Sequence, residues 1–202
     1  MNSSLLDGNY WDERYKNKAT GWDIGYASPA IINYAAESIA KDASILIPGC
    51  GNAYEAKALL DMGFHQITLL DIAPTLVAKV RKEFANTPQI QIVCQDFFQH
   101  LGQYDYIIEQ TFFCALDPSL RPSYVQQMHT LLKQQGILTG LLFKRDFAQQ
   151  GPPFGGDQTE YQQLFASQFD ILQLTDSTNS IPQRQGNELF FELRKKESTC
   201  PA

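Results

Sequence analysis

No run of apolar residues in this chain approaches the length that crosses a bilayer. The opening Met1-Asn2-Ser3-Ser4-Leu5-Leu6-Asp7 also lacks the charged-then-apolar pattern of a secretory signal. The expectation is a cytoplasmic protein with no membrane partner. Cysteine is sparse: Cys50, Cys94, Cys114 and Cys200 lie far apart and never form Cys-x-x-Cys, which excludes a zinc-ribbon pattern and a disulfide framework. The three histidines, His65, His100 and His129, have no metal-ligand spacing, so no metal site is expected. No lysine or arginine cluster occurs and the net charge is −6, which argues against a nucleic-acid groove and for a small-molecule partner. Tryptophan occurs only at positions 11 and 22.

What is present suffices for one well-buried domain. At 202 residues with 44% hydrophobic and 19% charged residues, the chain is globular and too short for two ordinary domains; a monomer is expected. Short apolar runs at about 44–48, 66–71, 89–94, 104–110 and 136–143 alternate with helical patterns at about 28–41, 54–62, 74–84, 117–132 and 157–167. Ser28-Pro29 reads as an N-cap followed by proline at the first helical position, and Asp157 with Glu160 as a capping box. Two final strands at about 170–175 and 187–194 have no helix between them and should pair antiparallel at a sheet edge. The expected architecture is α/β: a mostly parallel seven-stranded, Rossmann-like sheet with helices on both faces and an antiparallel edge hairpin. Residues 1–27 form an aromatic-rich leader, residues 28–195 the domain, and 196–202 a tail.

The chemistry concentrates after the first strand. Ile45-Leu46-Ile47 runs into Pro48-Gly49-Cys50-Gly51, and about 20 residues beyond Gly51 the second strand ends on Asp71. The glycines allow close backbone approach to a ligand, and a carboxylate at that address accepts from both ribose hydroxyls. A third glycine, which a dinucleotide would need, is replaced by Tyr54, and no Gly-Lys-Ser/Thr phosphate loop follows. The pattern suits a nucleoside without phosphates, of which S-adenosylmethionine is the commonest; a tight turn without a ligand is the alternative.

In an open parallel sheet, ligands sit beyond the carboxyl ends of the strands. Asp96 and Phe97 follow the third strand, where Asp96 either receives an adenine amino group or caps a local turn. Glu109-Gln110-Thr111 follows the fourth, ahead of Phe112-Phe113-Cys114-Ala115-Leu116, which either walls a methyl-donor pocket or belongs to the core. Trp11, Tyr15 and Trp22 lie in the leader. They are either packing or a lid whose aromatic faces attract a sulfonium cation, with Trp11 and Tyr15 on one face of a short helix. Arg184 either holds an acceptor anion or is a solvated loop residue.

Taken together, Trp11-x-x-x-Tyr15, Thr20-Gly21-Trp22-Asp23-Ile24-Gly25, Ile47-Pro48-Gly49-Cys50-Gly51, Thr111 to Leu116 with Arg121 beyond, Gly151-Pro152-Pro153-Phe154 and Ile181-Pro182-x-Arg184-x-Gly186-x-Glu188 resemble the thiopurine methyltransferase superfamily. Within it the halide/thiol branch is the most similar. The resemblance spans Tyr10 to about Lys195 and implies a class I S-adenosylmethionine-dependent methyltransferase. It places Trp11, Tyr15, Trp22, Gly49, Asp71, Asp96, Phe97 and Gln110 against the cofactor, with Gly51 in the same turn, and Phe154 and Arg184 towards the acceptor. Glu109-Gln110 and Phe154 depart from the branch's Asp-Tyr and Tyr, so a thiol or similar soft nucleophile is a better expected acceptor than halide. A small-molecule O- or N-methyltransferase and a catalytically silent cofactor-binding module are the alternatives.

Overall fold

The computed structural model describes residues 6–197; the first five residues of the expected leader, Cys200 and the end of the expected tail lie outside the described residues. In chain order the elements are α1 (Gly8–Lys16), α2 (Pro29–Ser38), β1 (Ile45–Pro48), α3 (Tyr54–Asp61), β2 (Ile67–Asp71), α4 (Pro74–Glu83), β3 (Ile90–Cys94) and β4 (Tyr104–Gln110). These are followed by α5 (Arg121–Leu131), β5 (Leu132–Phe143), α6 (Gln158–Phe165), β6 (Phe169–Asp176) and β7 (Glu188–Lys195). Every residue of β1 and β2 is buried, which is why these strands read as unbroken apolar runs instead of alternating ones.

The seven strands form one sheet in the order β3-β2-β1-β4-β5-β7-β6. β1 pairs in parallel with β2 and β4, and β7 runs antiparallel to both β5 and β6. The expected antiparallel edge pair is therefore present, with β7 inserted between β5 and the edge strand β6. Ile45 and Ile47 pack with Ile31, Ala35, Leu59 and Val80 on the face covered by α2, α3 and α4. Leu46 packs on the other face with Tyr124, Met128 and Phe165 of α5 and α6. From β1 the chain winds outward through β2 and β3 and then returns to β4 on the opposite side. This reversal between β1 and β4 opens a crevice at the carboxyl ends of the strands.

Three local features differ from the sequence expectation. Regular structure begins at Gly8, ahead of Ser28, because Asp7 caps α1 by accepting from the Tyr10 N–H at 2.9 Å. α1 is fixed to the body by Asp12, whose carboxylate accepts from the Thr75 N–H at 2.7 Å and so serves the otherwise uncapped start of α4. Ser28 stands at the N-cap position of α2, but its hydroxyl makes no capping bond; its N–H donates to Glu55 Oε1 at 3.0 Å instead. β5 starts at Leu132, earlier than Gly136, with a register shift opposite Tyr104 and Gln135 at positive φ. The polar Lys133-Gln134-Gln135, between the expected helix to about 132 and strand from about 136, is a bulged part of the strand in the fold. Asp157 does cap α6, accepting from the Glu160 N–H at 2.8 Å, while the Glu160 carboxylate turns away to pair with Arg121.

Candidate active site

The crevice is a cleft of about 670 Å³. Its floor is the turn after β1. Gly49 and Gly51 both adopt positive φ, +58° and +53°. At Gly49 a Cβ would stand 2.5 Å from the Phe112 ring, so only glycine lets that ring close over the turn. Asp71 ends β2 beside this turn, accepting from the Gly51 N–H at 3.3 Å and the Ala73 N–H at 3.0 Å. Burial pushes its carboxyl up to about 6, partly offset by those backbone donors.

The leader forms the cleft's outer wall. The rings of Trp11 and Trp22 meet edge-on at 5.5 Å, and those of Tyr15 and Trp22 at 5.8 Å. All three line the cleft, and Tyr15 places its hydroxyl near Gly51. Asp23 ties the leader to the turn: it accepts from the Asn52 side-chain amide and, at 3.4 Å, from the Tyr54 hydroxyl. The bulky residue that displaces a dinucleotide glycine is thus a docking point for the leader.

Asp96 lines the cleft and also caps the turn at Phe97–Gln99 by accepting from the Phe98 N–H at 3.0 Å. Of the two readings of Asp96, the turn cap is the one observed, and it uses only one carboxylate oxygen. Phe97 lines the cleft while being 4% exposed. Gln110 lines it with a buried side-chain oxygen that has no hydrogen-bond partner among the described residues, an acceptor whose burial calls for one. Thr111 sits at φ +58°, an uncommon conformation for a β-branched residue, where β4 turns sharply into the cleft wall. Glu109, fully buried, steadies this turn by accepting from the Phe112 and Phe113 N–H groups, each at 2.7 Å.

Opposite the turn, Arg184 lines the cleft without reaching freely into it. It donates to the Trp22 carbonyl at 3.0 Å and to Glu188 Oε1 at 3.4 Å. Phe154 is not in the wall. Its N–H donates to the Cys114 carbonyl at 2.7 Å, and this tether presents Pro152 and Pro153 to the cleft in its place. Of the sequence-derived site residues, Trp11, Tyr15, Trp22, Gly49, Gly51, Asp71, Asp96, Phe97, Gln110 and Arg184 come together, and Phe154 does not. Asp23, Phe143, Arg145 and Phe147 are among the further residues that line the cleft. A sequence signal existed only for Asp23, inside the Gly-Trp-Asp turn.

Nucleophilic catalysis by a protein thiol is not supported. Burial pushes the Cys50 and Cys114 thiols well above their usual range, and among the described residues no histidine lines the cleft. What the cleft offers is a glycine turn, a carboxylate at the end of β2 beside that turn, an aromatic box and a buried amide acceptor.

These features agree with the similarities of the whole chain. The sequence model of the thiopurine S-methyltransferase family matches residues 6–197. A probable thiol methyltransferase 2 of Arabidopsis thaliana is 30% identical over 194 residues, covering 93% of this chain and 85% of the relative. Thiocyanate methyltransferase 1 of the same plant is 27% identical over 191 residues, covering 92% and 84%. In fold, the chain is similar to 1,6-didemethyltoxoflavin-N1-methyltransferase of Burkholderia thailandensis, solved with bound S-adenosylhomocysteine. The TM-score is 0.76 at 16% identity, covering 96% of this chain and 89% of that one.

Proposed function

The chain belongs to the thiopurine S-methyltransferase family, an S-adenosylmethionine-dependent methyltransferase family, and on that premise we propose that it methylates a small thiol or similar soft nucleophile. The observation that carries this reading is the aromatic box of Trp11, Tyr15 and Trp22 facing the glycine turn and Asp71 in one cleft. The residues present fit the cofactor: Asp71 for ribose hydroxyls, Asp96 and Phe97 for the adenine end, and the partnerless Gln110 oxygen for an ammonium donor. Aromatic faces then attract the cationic sulfur. When bound, S-adenosylmethionine supplies a methyl group on a cationic sulfur, released to the acceptor's sulfur as the old carbon–sulfur bond breaks and its electron pair stays with the donor.

The protein's own part is binding, orientation and exclusion of water. Phe112, Phe143, Phe147, Pro152 and Pro153 give the acceptor side an apolar wall, which strips water from a reaction in which charge is neutralised. A thiolate is already a strong nucleophile, so alignment provides most of the acceleration and no protein base is needed at the sulfur. We read the leader, residues 1–27, as a lid over this cleft, held by Asp12 on α4, Asp23 on the turn and Arg184 on the Trp22 carbonyl. Residues 28–195 supply the domain beneath it, and the protein is read as a cytoplasmic monomer.

The test is a panel of thiol, hydrosulfide, phenol, amine and carboxylate acceptors assayed with S-adenosylmethionine. Transfer to sulfur should dominate. Transfer only to oxygen or nitrogen would overturn the soft-nucleophile reading, and cofactor binding without any turnover would favour a silent binding module.

A further inference from the structure

The carboxylates that line the cleft, Asp7, Asp23, Glu55, Asp71 and Asp96, all lie in the leader or at and after the ends of β1, β2 and β3, with one arginine among them, Arg14, which donates to the Tyr10 hydroxyl at 2.6 Å and lies over that ring. That is the side on which a cofactor with cationic groups fits. The opposite wall, built from the end of β5 and the segments after it, carries two arginines, Arg145 and Arg184. Arg184 is neutralised by Glu188 and committed to the Trp22 carbonyl. Arg145 differs. Among the described residues no carboxylate stands within ion-pair distance of it.

The backbone that presents Arg145 is firmly held. It bridges Gly156 in antiparallel fashion, and a Cβ on Gly155 would stand 1.6 Å from the Arg145 carbonyl oxygen, so the two segments touch only because residue 155 is glycine. The far segment is anchored in turn by Arg121, 6% exposed, which donates to the Gly155 carbonyl at 2.7 Å and pairs with Glu160. The guanidinium itself lies over the Phe147 ring, 4.9 Å from its centroid, and Phe147 meets Phe143 edge-on at 5.1 Å. Both rings line the cleft. The Arg145 Nε donates to the Asp146 carbonyl at 3.5 Å, which leaves the two terminal nitrogens, on an exposed side chain laid against an aromatic wall, to receive a planar anion.

We propose that Arg145 is a specificity residue for the acceptor: it pairs with a negatively charged group that the acceptor carries away from its nucleophilic sulfur. Preferred acceptors are then thiols bearing a carboxylate or a comparable anion, and neutral thiols are poorer. This inference rests on the thiol-methylation reading above and adds to it the charge of the substrate and the residue that reads it.

The experiment compares 3-mercaptopropionate with its primary amide, 3-mercaptopropionamide, as acceptors for the full chain. The wild type should favour the carboxylate by about tenfold in kcat/KM, the size of one charge-assisted contact. Arg145→Gln should bring the two acceptors to near equality, Arg145→Lys should keep part of the preference, and added salt should reduce it in the wild type. S-adenosylhomocysteine binding by calorimetry confirms that each variant is folded. A wild type that does not distinguish the acceptors, or an Arg145→Gln protein that keeps the preference, overturns the proposal while leaving thiol methylation standing. Failure to methylate either thiol overturns both.

Discussion

The Arg184 guanidinium donates to the backbone carbonyl of Trp22 at 3.0 Å, joining the loop before β7 to a leader residue 162 positions earlier in the chain. The contact is backed by Glu188, 3% exposed, and by the Phe143 ring 5.3 Å beneath the guanidinium. It ties a residue of the loop before β7 to the aromatic cluster of Trp11, Tyr15 and Trp22. A residue that sequence reading assigned to the acceptor is, in the fold, tied to the leader.

Replacing Arg184 with Gln should therefore weaken S-adenosylhomocysteine binding by about tenfold, the loss of one hydrogen bond from a charged donor. Arg184→Lys should recover part of the loss. Limited proteolysis should show faster cleavage between residues 17 and 27 in Arg184→Gln, and cofactor should protect this stretch in the wild type. Unchanged affinity with only a raised acceptor KM would return Arg184 to a purely substrate-binding role.

With Asp71 proposed at the ribose, cofactor binding should be pH-dependent. Its carboxyl is raised to about 6 by burial, and only the ionised form accepts from two hydroxyl donors. S-adenosylhomocysteine should bind about tenfold more weakly at pH 5 than at pH 7, because about a tenth of Asp71 is ionised at the lower pH. The unliganded protein should show the opposite trend. The folded-state value lies above the unfolded one, so the contribution of Asp71 to stability is full at low pH and is lost as pH rises from about 4 to about 6. Asp71→Asn should flatten both profiles. Calorimetry showing the same affinity at pH 5 and pH 7 in the wild type would remove Asp71 from the ribose position.

The two turn glycines should differ in their tolerance of a side chain. Gly49→Ala combines a left-handed backbone with a Cβ driven against Phe112, and should cost about 2–4 kcal/mol in urea denaturation. At Gly51 the nearest atom to an added Cβ is the Tyr15 hydroxyl at 3.6 Å. Backbone strain alone should then cost about 1–2 kcal/mol in Gly51→Ala. Equal losses at the two positions would mean that Phe112 yields freely and does not pack the turn.

The sequence by itself determined the frame. Unbroken apolar runs identified the buried parallel strands, because a strand covered on both faces needs no polar side. The absence of a helical pattern between the last two strands identified the antiparallel edge pair. The glycine turn and the acid ending β2 were legible because one strand-helix-strand unit fixes their separation locally, and the strand-end addresses of Asp96 and Gln110 followed from the same logic. Tertiary structure alone decided what those residues face. Asp12 reaches a helix start 63 positions away, Asp23 reaches Asn52, and Arg184 reaches Trp22. No periodicity encodes such pairings, since each depends on how separate elements pack. The placement of Phe154 was lost for the same reason: a single backbone bond to Cys114 sets which residues after Gly151 meet the cleft. Arg145 carried no signal in the sequence, because an exposed loop arginine looks like any other until its neighbours show that it lies against an aromatic wall with no acidic partner among the described residues.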